Sequence, residues 1–162
     1  LNFSNSNFDR VRQSFPQAGS SFKPFIYTSA FANGYNASDK INDAPIVFED
    51  LNLESSWRPE NYTGKFYGPI RLREALIQSV NLVSIKLLRE MGISDTQNFL
   101  TKFGFDKSRL APDLSLALGS SSFSPAEMVR AYSILVNFEN PKNPFFIDRI
   151  LDRNGNIIFK HF

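Results

Sequence analysis

The chain has 162 residues, of which 42% are hydrophobic and 21% charged, a composition that indicates a globular domain rather than a disordered segment. Its formal net charge of +2, with no basic run, gives no indication of binding to nucleic acid or to an anionic membrane surface. There is no cysteine and only one histidine, His161, so disulfides are excluded and neither a zinc site nor Ser-His-Asp catalysis is expected.

The first predicted element is a buried helix over residues 20–33, closed by Gly34, and it opens with a Ser-x-x-Lys motif. Ser20 and Lys23 are three residues apart and share a helix face, so the lysine amine can reach the serine hydroxyl. Such a lysine can activate the serine if burial or a nearby cation lowers its pKa. The free N–H groups of the first helical turn can stabilise an oxyanion. An isolated match of this kind is also typical of an ordinary solvated turn.

A second motif follows a predicted long surface loop over residues 35–70, where Gly, Pro and Asn are scattered without periodicity. Residues 72–91 have helical spacing, and we predict two helical pieces around Ser79 with an end at Gly92. Ser79-x-Asn81 provides a hydroxyl that can relay a proton to a departing amine and a carboxamide that can hold a substrate carbonyl. Serine and asparagine are also common at helix caps and turns, so this pair alone is a weak signal.

Two further helices are predicted from capping boxes. The run Ser94-Asp95-Thr96-Gln97 predicts a helix that continues to Gly104. The run Ser124-Pro125-Ala126-Glu127 predicts another, with proline at the first helical position and an end near Asn137.

The last predicted element is a β-hairpin, in which residues 145–151 and 156–159 flank the turn signal Asn154-Gly155. Helices followed by an antiparallel hairpin predict an α+β fold, with a helical subdomain and the start of an antiparallel sheet. The seventeen phenylalanines are expected chiefly to fill the core. No apolar run is long enough to cross a bilayer.

The order and spacing of these motifs resemble the penicillin-recognising acyl-serine transferases, most closely the transpeptidase domain of class A penicillin-binding proteins. The resemblance extends over essentially the whole chain, in family order. Its further blocks are Phe8-Asp9-Arg10-Val11, Trp57-Arg58-Pro59-Glu60-Asn61-Tyr62, Arg73-Glu74-Ala75-Leu76, Leu116-Ala117-Leu118-Gly119 and Ser124-Pro125-Ala126-Glu127-Met128. The third family motif, Lys-Thr/Ser-Gly on a core strand, is absent from the sequence. We therefore expect residues 1–162 to be a partial transpeptidase domain from a longer polypeptide, inactive by itself.

The resemblance implies a peptidoglycan DD-transpeptidase that uses neither cofactor nor metal. Ser20 is then the nucleophile, Lys23 its base, Ser79 the proton relay and Asn81 a substrate-binding residue. The implied partners are stem peptides ending in D-Ala-D-Ala, β-lactams as covalent ligands, and the remaining C-terminal part of the domain. An upstream glycosyltransferase domain and membrane anchor are also implied, as is a location on the periplasmic face of the inner membrane in the bacterial cell envelope.

Two alternatives remain. A serine β-lactamase of the same fold needs a base for hydrolysis, which class A enzymes place in a Glu-x-x-x-Asn motif after the second motif. Between Asn81 and Pro125, Glu90 and Asn98 do not have that spacing, which disfavours hydrolysis. A non-catalytic domain that senses β-lactams or acts as a scaffold is the other alternative. Both motifs are intact, so degeneracy is not indicated.

Overall fold

The structure, a computed structural model, describes residues 4–46, 57–137 and 145–161. These ranges contain α-helices joined by short 3-10 turns, together with two antiparallel strand pairs. The helices are α1 (Lys23–Ala32), α2 (Leu72–Ile77), α3 (Asn81–Met91), α4 (Ile93–Leu100) and α5 (Pro125–Asn137), and the strands are β1 (Lys40–Asp43), β2 (Gly68–Arg71), β3 (Arg149–Leu151) and β4 (Ile157–Lys160). The 3-10 turns are Gly19–Phe22, Thr101–Phe103, Lys107–Arg109 and Leu114–Leu118.

The predicted buried helix after Ser20 is confirmed, and aromatic side chains hold it in the core. Phe25 is completely buried and meets the rings of Phe103, Phe105 and Tyr132 edge-on, with centroid distances of 5.3, 5.1 and 5.0 Å. Each such pair adds about 0.5–1.5 kcal/mol beyond the burial of its area. This packing fixes the base of α1 and therefore the position of the 3-10 turn that carries Ser20.

The predicted break around Ser79 is confirmed. Helix α2 ends at Ile77 and α3 begins at Asn81, and Ser79 between them has a φ of 54°, the left-handed region that side chains avoid. Gly92 ends α3 with a φ of 85°, as the sequence predicts.

The predicted capping box at Ser94 is wrong. Helix α4 begins at Ile93, directly after Gly92, so Ser94 lies inside the first turn. The Gly92 carbonyl accepts the first helical hydrogen bonds, from Thr96 N at 3.1 Å and Thr96 Oγ1 at 2.8 Å. The positive φ of Gly92 reverses the chain so sharply that no linker separates the two helices. The helix ends at Leu100 and a 3-10 turn continues to the left-handed Gly104.

The second capping box is confirmed at the start of α5. Ser124 N donates to Glu127 Oε2 at 2.7 Å, and Glu127 N donates to Ser124 Oγ at 3.3 Å. Pro125 occupies the first helical position and the helix ends at Asn137, as predicted.

The prediction of an unstructured loop over residues 35–70 is wrong for its two ends. Strands β1 and β2 pair antiparallel there, with Lys40 opposite Arg71 and Asp43 opposite Gly68. The inward-facing residues of β1 are Ile41 and Asp43, so a buried carboxylate stands where a sequence pattern looks for a second apolar residue. Residues 47–56 of the predicted loop lie outside the described part of the chain.

The predicted hairpin is confirmed in β3 and β4, with strands shorter than the sequence suggests. Asp152 N donates to Asn156 O at 2.9 Å, and Gly155 N donates to Asp152 O at 3.1 Å. Only Gly155 of the turn has a positive φ, 86°, so the loop is wider than a two-residue Asn-Gly turn.

The α+β prediction is confirmed by these helices and small antiparallel sheets. The phenylalanines divide between two environments. Phe22, Phe105 and Phe123 are buried, whereas Phe146 and Phe159 are exposed on and beside the hairpin. Among the helices of the described residues, none combines the length and apolar character needed to cross a bilayer.

Candidate active site

The predicted nucleophile lies on a tight turn at the entrance to α1. Ser20 is exposed and belongs to the 3-10 turn Gly19–Phe22, in which residues i and i+3 are nearly eclipsed. Its carbonyl accepts from the backbone N–H of Lys23, which locks the two residues of the motif together. Ser21, the neighbouring serine, turns its hydroxyl away and donates it to Ala18 O at 2.6 Å.

The backbone of this turn is held by a second turn. Gly19 N donates to Gly119 O at 2.9 Å, and Ala18 N donates to Ser121 O at 3.0 Å. The two glycines approach so closely that a Cβ on Gly119 would lie 2.7 Å from the carbonyl carbon of Gly19. Because Gly119 has no side chain, its backbone can approach and hold Gly19, the residue immediately before Ser20.

Lys23 joins the two predicted motifs. Its side chain is only 1% exposed, and its amine donates to Ser79 O at 2.6 Å, Ser79 Oγ at 3.0 Å and Asn81 Oδ1 at 2.7 Å. These three acceptors match the three donors of an ammonium group. Among the described residues, no hydrogen bond joins the Ser20 hydroxyl to Lys23, so the lysine is held by the second motif.

Burial lowers the pKa of Lys23 from its ordinary value of 10.5 to about 8. At pH 7 about one lysine in ten is then neutral, compared with about one in 3,000 at the ordinary pKa. The neutral amine has a lone pair and can accept a proton. The burial of this side chain therefore provides the condition under which a lysine can act as a base.

Ser79 and Asn81 reach Lys23 because the chain breaks between α2 and α3. A left-handed residue other than glycine costs about 1–2 kcal/mol, and such strain is concentrated at functional sites. Ser79 N still donates to Leu76 O at 3.0 Å, and Val80 N donates to Ala75 O at 2.9 Å, so the turn is well defined. The strained conformation directs both the carbonyl and the hydroxyl of Ser79 towards the lysine.

Behind this turn lies a buried polar network. Asn61 Nδ2 donates to both carboxylate oxygens of Asp43, at 2.9 and 2.8 Å, and its Oδ1 accepts from Asn81 N at 2.9 Å. Asn81 Nδ2 donates to Glu60 O at 2.9 Å, which leaves one of its two N–H bonds for a ligand. The segment before β2 therefore holds Asn81 through both its backbone and its side chain.

Three of the site residues, Ser20, Ser79 and Asn81, share a cleft of about 340 Å³. It is lined by Ser20, Asn61, Tyr62, Thr63, Tyr67, Gln78, Ser79, Val80 and Asn81. The arrangement presents an exposed hydroxyl and a partly free carboxamide in the cleft, together with a buried amine that contacts Ser79 and Asn81, the groups needed for acyl transfer to a serine.

The chain is similar to penicillin-binding proteins over nearly its whole length. A family model described as the penicillin binding protein transpeptidase domain matches residues 3–161. The chain belongs to this family. It is 46% identical over 160 residues to penicillin-binding protein 1A of Pseudomonas aeruginosa and 38% identical over 160 residues to that of Escherichia coli. Each alignment covers 99% of this chain, but the chain spans only about a fifth of the length of these curated relatives, 20% and 19%.

Solved structures of penicillin-binding proteins share the fold. Penicillin-binding protein 1A from Haemophilus influenzae matches with a TM-score of 0.92 at 38% identity, over 99% of this chain and 24% of that one. An imipenem acyl-enzyme complex of penicillin-binding protein A from Mycobacterium tuberculosis matches with a TM-score of 0.79 at 18% identity. That match covers 95% of this chain and 40% of the other, and at this identity it concerns the fold alone.

The structure brings Lys23, Ser79 and Asn81 into direct contact and places Ser20 in the same cleft. Sequence reasoning missed the part played by Asp43 and treated Asn61 only as part of the resemblance. A polar residue in a loop gives little local signal for burial. One signal in the sequence was available. Val80 is apolar and cannot cap α3 with its own side chain, which indicates that a residue from elsewhere in the chain supplies the cap.

Proposed function

We propose that this chain supplies the nucleophile-bearing part of a peptidoglycan DD-transpeptidase domain within a longer protein. The observation that carries the proposal is the contact of the Lys23 amine with both Ser79 and Asn81, which line the same cleft as the exposed Ser20. Family membership supports the reaction class. The substrate, stem peptides that end in D-Ala-D-Ala, belongs to the proposal.

In the proposed acylation step, neutral Lys23 accepts the Ser20 proton while Ser20 Oγ attacks the carbonyl carbon of the penultimate D-alanine. The C–N bond to the terminal D-alanine breaks. Ser79 Oγ passes the proton that Lys23 took from Ser20 to the departing amine. Free D-alanine therefore leaves with a neutral amino group, and Lys23 returns to its neutral form. The hydrogen bond of 3.0 Å between Lys23 and Ser79 Oγ supports this relay.

In the second step, an amine of another stem peptide attacks the Ser20 ester and forms the cross-link. The amine gives up a proton, and Ser20 Oγ recovers one as the ester C–O bond breaks. Asn81 binds the acyl carbonyl through the N–H that Glu60 leaves free. A β-lactam follows the first step only, because its opened ring stays attached to the acyl group and cannot diffuse away.

The surroundings of the site are part of the proposal. The relatives are about five times longer than this chain, which supports a continuation that carries the Lys-Thr/Ser-Gly strand and the second oxyanion-hole donor. The proposal also includes an upstream glycosyltransferase domain and a membrane anchor in the parent protein, and a location on the periplasmic face of the inner membrane.

The proposal is tested on the full-length parent protein with benzylpenicillin and with a stem pentapeptide donor. We expect a persistent adduct and release of D-alanine, both absent in Ser20→Ala and slowed by about 10²–10⁴-fold in Lys23→Ala. Ser21→Ala is the matched control and should keep both activities, because its hydroxyl bonds to Ala18 O and not to the cleft.

Each alternative predicts a different result. Hydrolysed drug without a lasting adduct would indicate a β-lactamase. A stable adduct without D-alanine release from any donor would indicate a β-lactam sensor. Full acylation of Ser20→Ala would refute the assignment of the nucleophile.

A further inference from the structure

The N-terminus of α3, which carries Asn81, has no cap from its own neighbourhood. Its N-cap residue is Val80, which makes no side-chain capping bond. The first backbone N–H groups of a helix need an acceptor, and a buried terminus without one is costly. Asn61, twenty residues earlier in the chain, supplies that acceptor: its Oδ1 receives Asn81 N at 2.9 Å and Leu82 N at 3.3 Å.

Asn61 is itself fixed by a buried carboxylate. Asp43 is fully buried at the end of β1, and both of its oxygens accept from Asn61 Nδ2. Asp43 Oδ2 also accepts from Tyr67 N at 2.9 Å, and Asn61 Nδ2 also donates to Lys65 O at 2.9 Å. These partners determine the orientation of the Asn61 amide, with oxygen towards the helix and nitrogen towards the carboxylate.

The same segment fixes the side chain of Asn81. Glu60 O, adjacent to Asn61, accepts from Asn81 Nδ2, while Asn81 Oδ1 accepts from Lys23. Asn81 is therefore restrained at its backbone N, its Nδ2 and its Oδ1. A shift of the α3 terminus would move Asn81 and the strained Ser79 away from the lysine together.

We propose that Asn61, oriented by Asp43, is a positioning residue that caps α3 from outside and sets the distance of Ser79 and Asn81 from Lys23. This inference rests on the proposed function, because it assigns Asn61 to the same acyl-transfer site. Asn61 is 6% exposed although it lines the cleft, which fits a residue that acts through its neighbours. Its loss should slow the chemical step of acylation by a larger factor than it weakens non-covalent binding of the β-lactam, in which Asn81 takes part.

The chain offers an exchange that separates positioning from simple folding. Asn61→Asp places two carboxylates against each other, and Asp43→Asn removes the charge that orients Asn61. The double variant Asp43→Asn/Asn61→Asp restores one amide and one carboxylate: the new carboxylate accepts from the α3 terminus and from the amide at position 43. A carboxylate is also favourable at a helix N-terminus. Only Lys65 O then lacks its former donor.

The experiment measures acylation of the full-length parent protein by a fluorescent penicillin in stopped flow, which separates the acylation rate constant k2 from the dissociation constant Kd. We expect k2 to fall about 10- to 100-fold in Asn61→Asp, the size of effect that a 1 Å misplacement can have, with Kd raised by a smaller factor through the displaced Asn81. The double variant should have a higher k2 than either single variant, since the two positions are coupled.

Gln97→Glu is the matched control, because Gln97 is another buried amide that donates to chain carbonyls, those of Leu110 and Ala111. It receives the same amide-to-carboxylate change and should lower the melting temperature while leaving k2 unchanged. Equal k2 values for Asn61→Asp and the parent would overturn the proposal, as would additive losses in the double variant. If Asn61→Asp does not fold, k2 of the double variant is compared with k2 of Asp43→Asn. A higher k2 in the double variant supports the proposal, and an equal or lower k2 overturns it. A parent protein that is not acylated on Ser20 refutes the proposed function instead.

Discussion

Replacing Gly119 by alanine should slow acylation of Ser20, the proposed nucleophile, although Gly119 lies about 100 residues away along the chain. The new Cβ would lie 2.7 Å from the carbonyl carbon and 2.8 Å from the nitrogen of Gly19, and nearer still to its oxygen, whereas real Cβ contacts stay beyond 3.0 Å. The two turns must therefore separate by on the order of 1 Å, which breaks the 2.9 Å bond from Gly19 N to Gly119 O. Ser20, the next residue, moves with Gly19.

We expect the acylation rate of Gly119→Ala to fall about 100-fold, the usual effect of a 1 Å misplacement. The φ of 72° adds backbone strain of about 1–2 kcal/mol, so stability falls as well. Gly34→Ala controls for that strain, because Gly34 has a φ of 95° and no atom within 4 Å of its Cβ position. It should lose stability but keep its acylation rate. Acylation of Gly119→Ala within about threefold of the parent, under conditions where both are folded, would refute the reasoning.

Three further predictions concern the lysine, the strained turn and the α5 cap. The acylation rate should rise with pH up to about 8 and then level off, since burial lowers the pKa of Lys23 and the neutral amine is the base; a rate still rising at pH 10 would contradict this. Ser79→Gly and Ser79→Ala should slow acylation to the same extent. In urea unfolding, Ser79→Gly should be about 1 kcal/mol more stable than Ser79→Ala, because a φ of 54° suits glycine; equal stabilities of the two variants would argue against backbone strain at this position. Glu127→Ala should cost about 1–2 kcal/mol of unfolding free energy, because it removes both the capping box with Ser124 and the ion pair with Arg109, and the acylation rate should not change; slower acylation would show that these contacts also act on the site.

The parts of the fold that the sequence predicts are those with short-range causes. The helix that follows Ser20 is predicted by apolar spacing, the start of α5 by reciprocal contacts three residues apart, and the hairpin by Asn154-Gly155. The capping box at Ser94 has the same local pattern, but Gly92, with its positive φ, is the N-cap instead, so the helix begins two residues earlier. Local patterns fail where a neighbouring residue satisfies the same backbone groups first.

The candidate site could be predicted only in part, for a related reason. The pair Ser20 and Lys23 is local, but the contact of Lys23 with Ser79 spans 56 residues, and it was the family resemblance that placed them together. Asp43 gave no signal because its burial depends on Asn61, a partner 18 residues away in an apparent loop. Gly119 gave none either, since its close approach to Gly19 exists only in the folded chain.

The central claim is that Ser20 alone carries the acyl group, and peptide mapping of the adduct tests it most directly. Full-length parent protein is exposed briefly to benzylpenicillin, quenched, digested and sequenced by mass spectrometry. The account predicts a single adduct on Ser20, with Ser21 and Ser79 unmodified, because Ser21 Oγ donates its hydrogen bond to Ala18 O and Ser79 is assigned to proton relay rather than to attack. An adduct on Ser21 or Ser79, or a protein that leaves the drug intact and unbound, would contradict it.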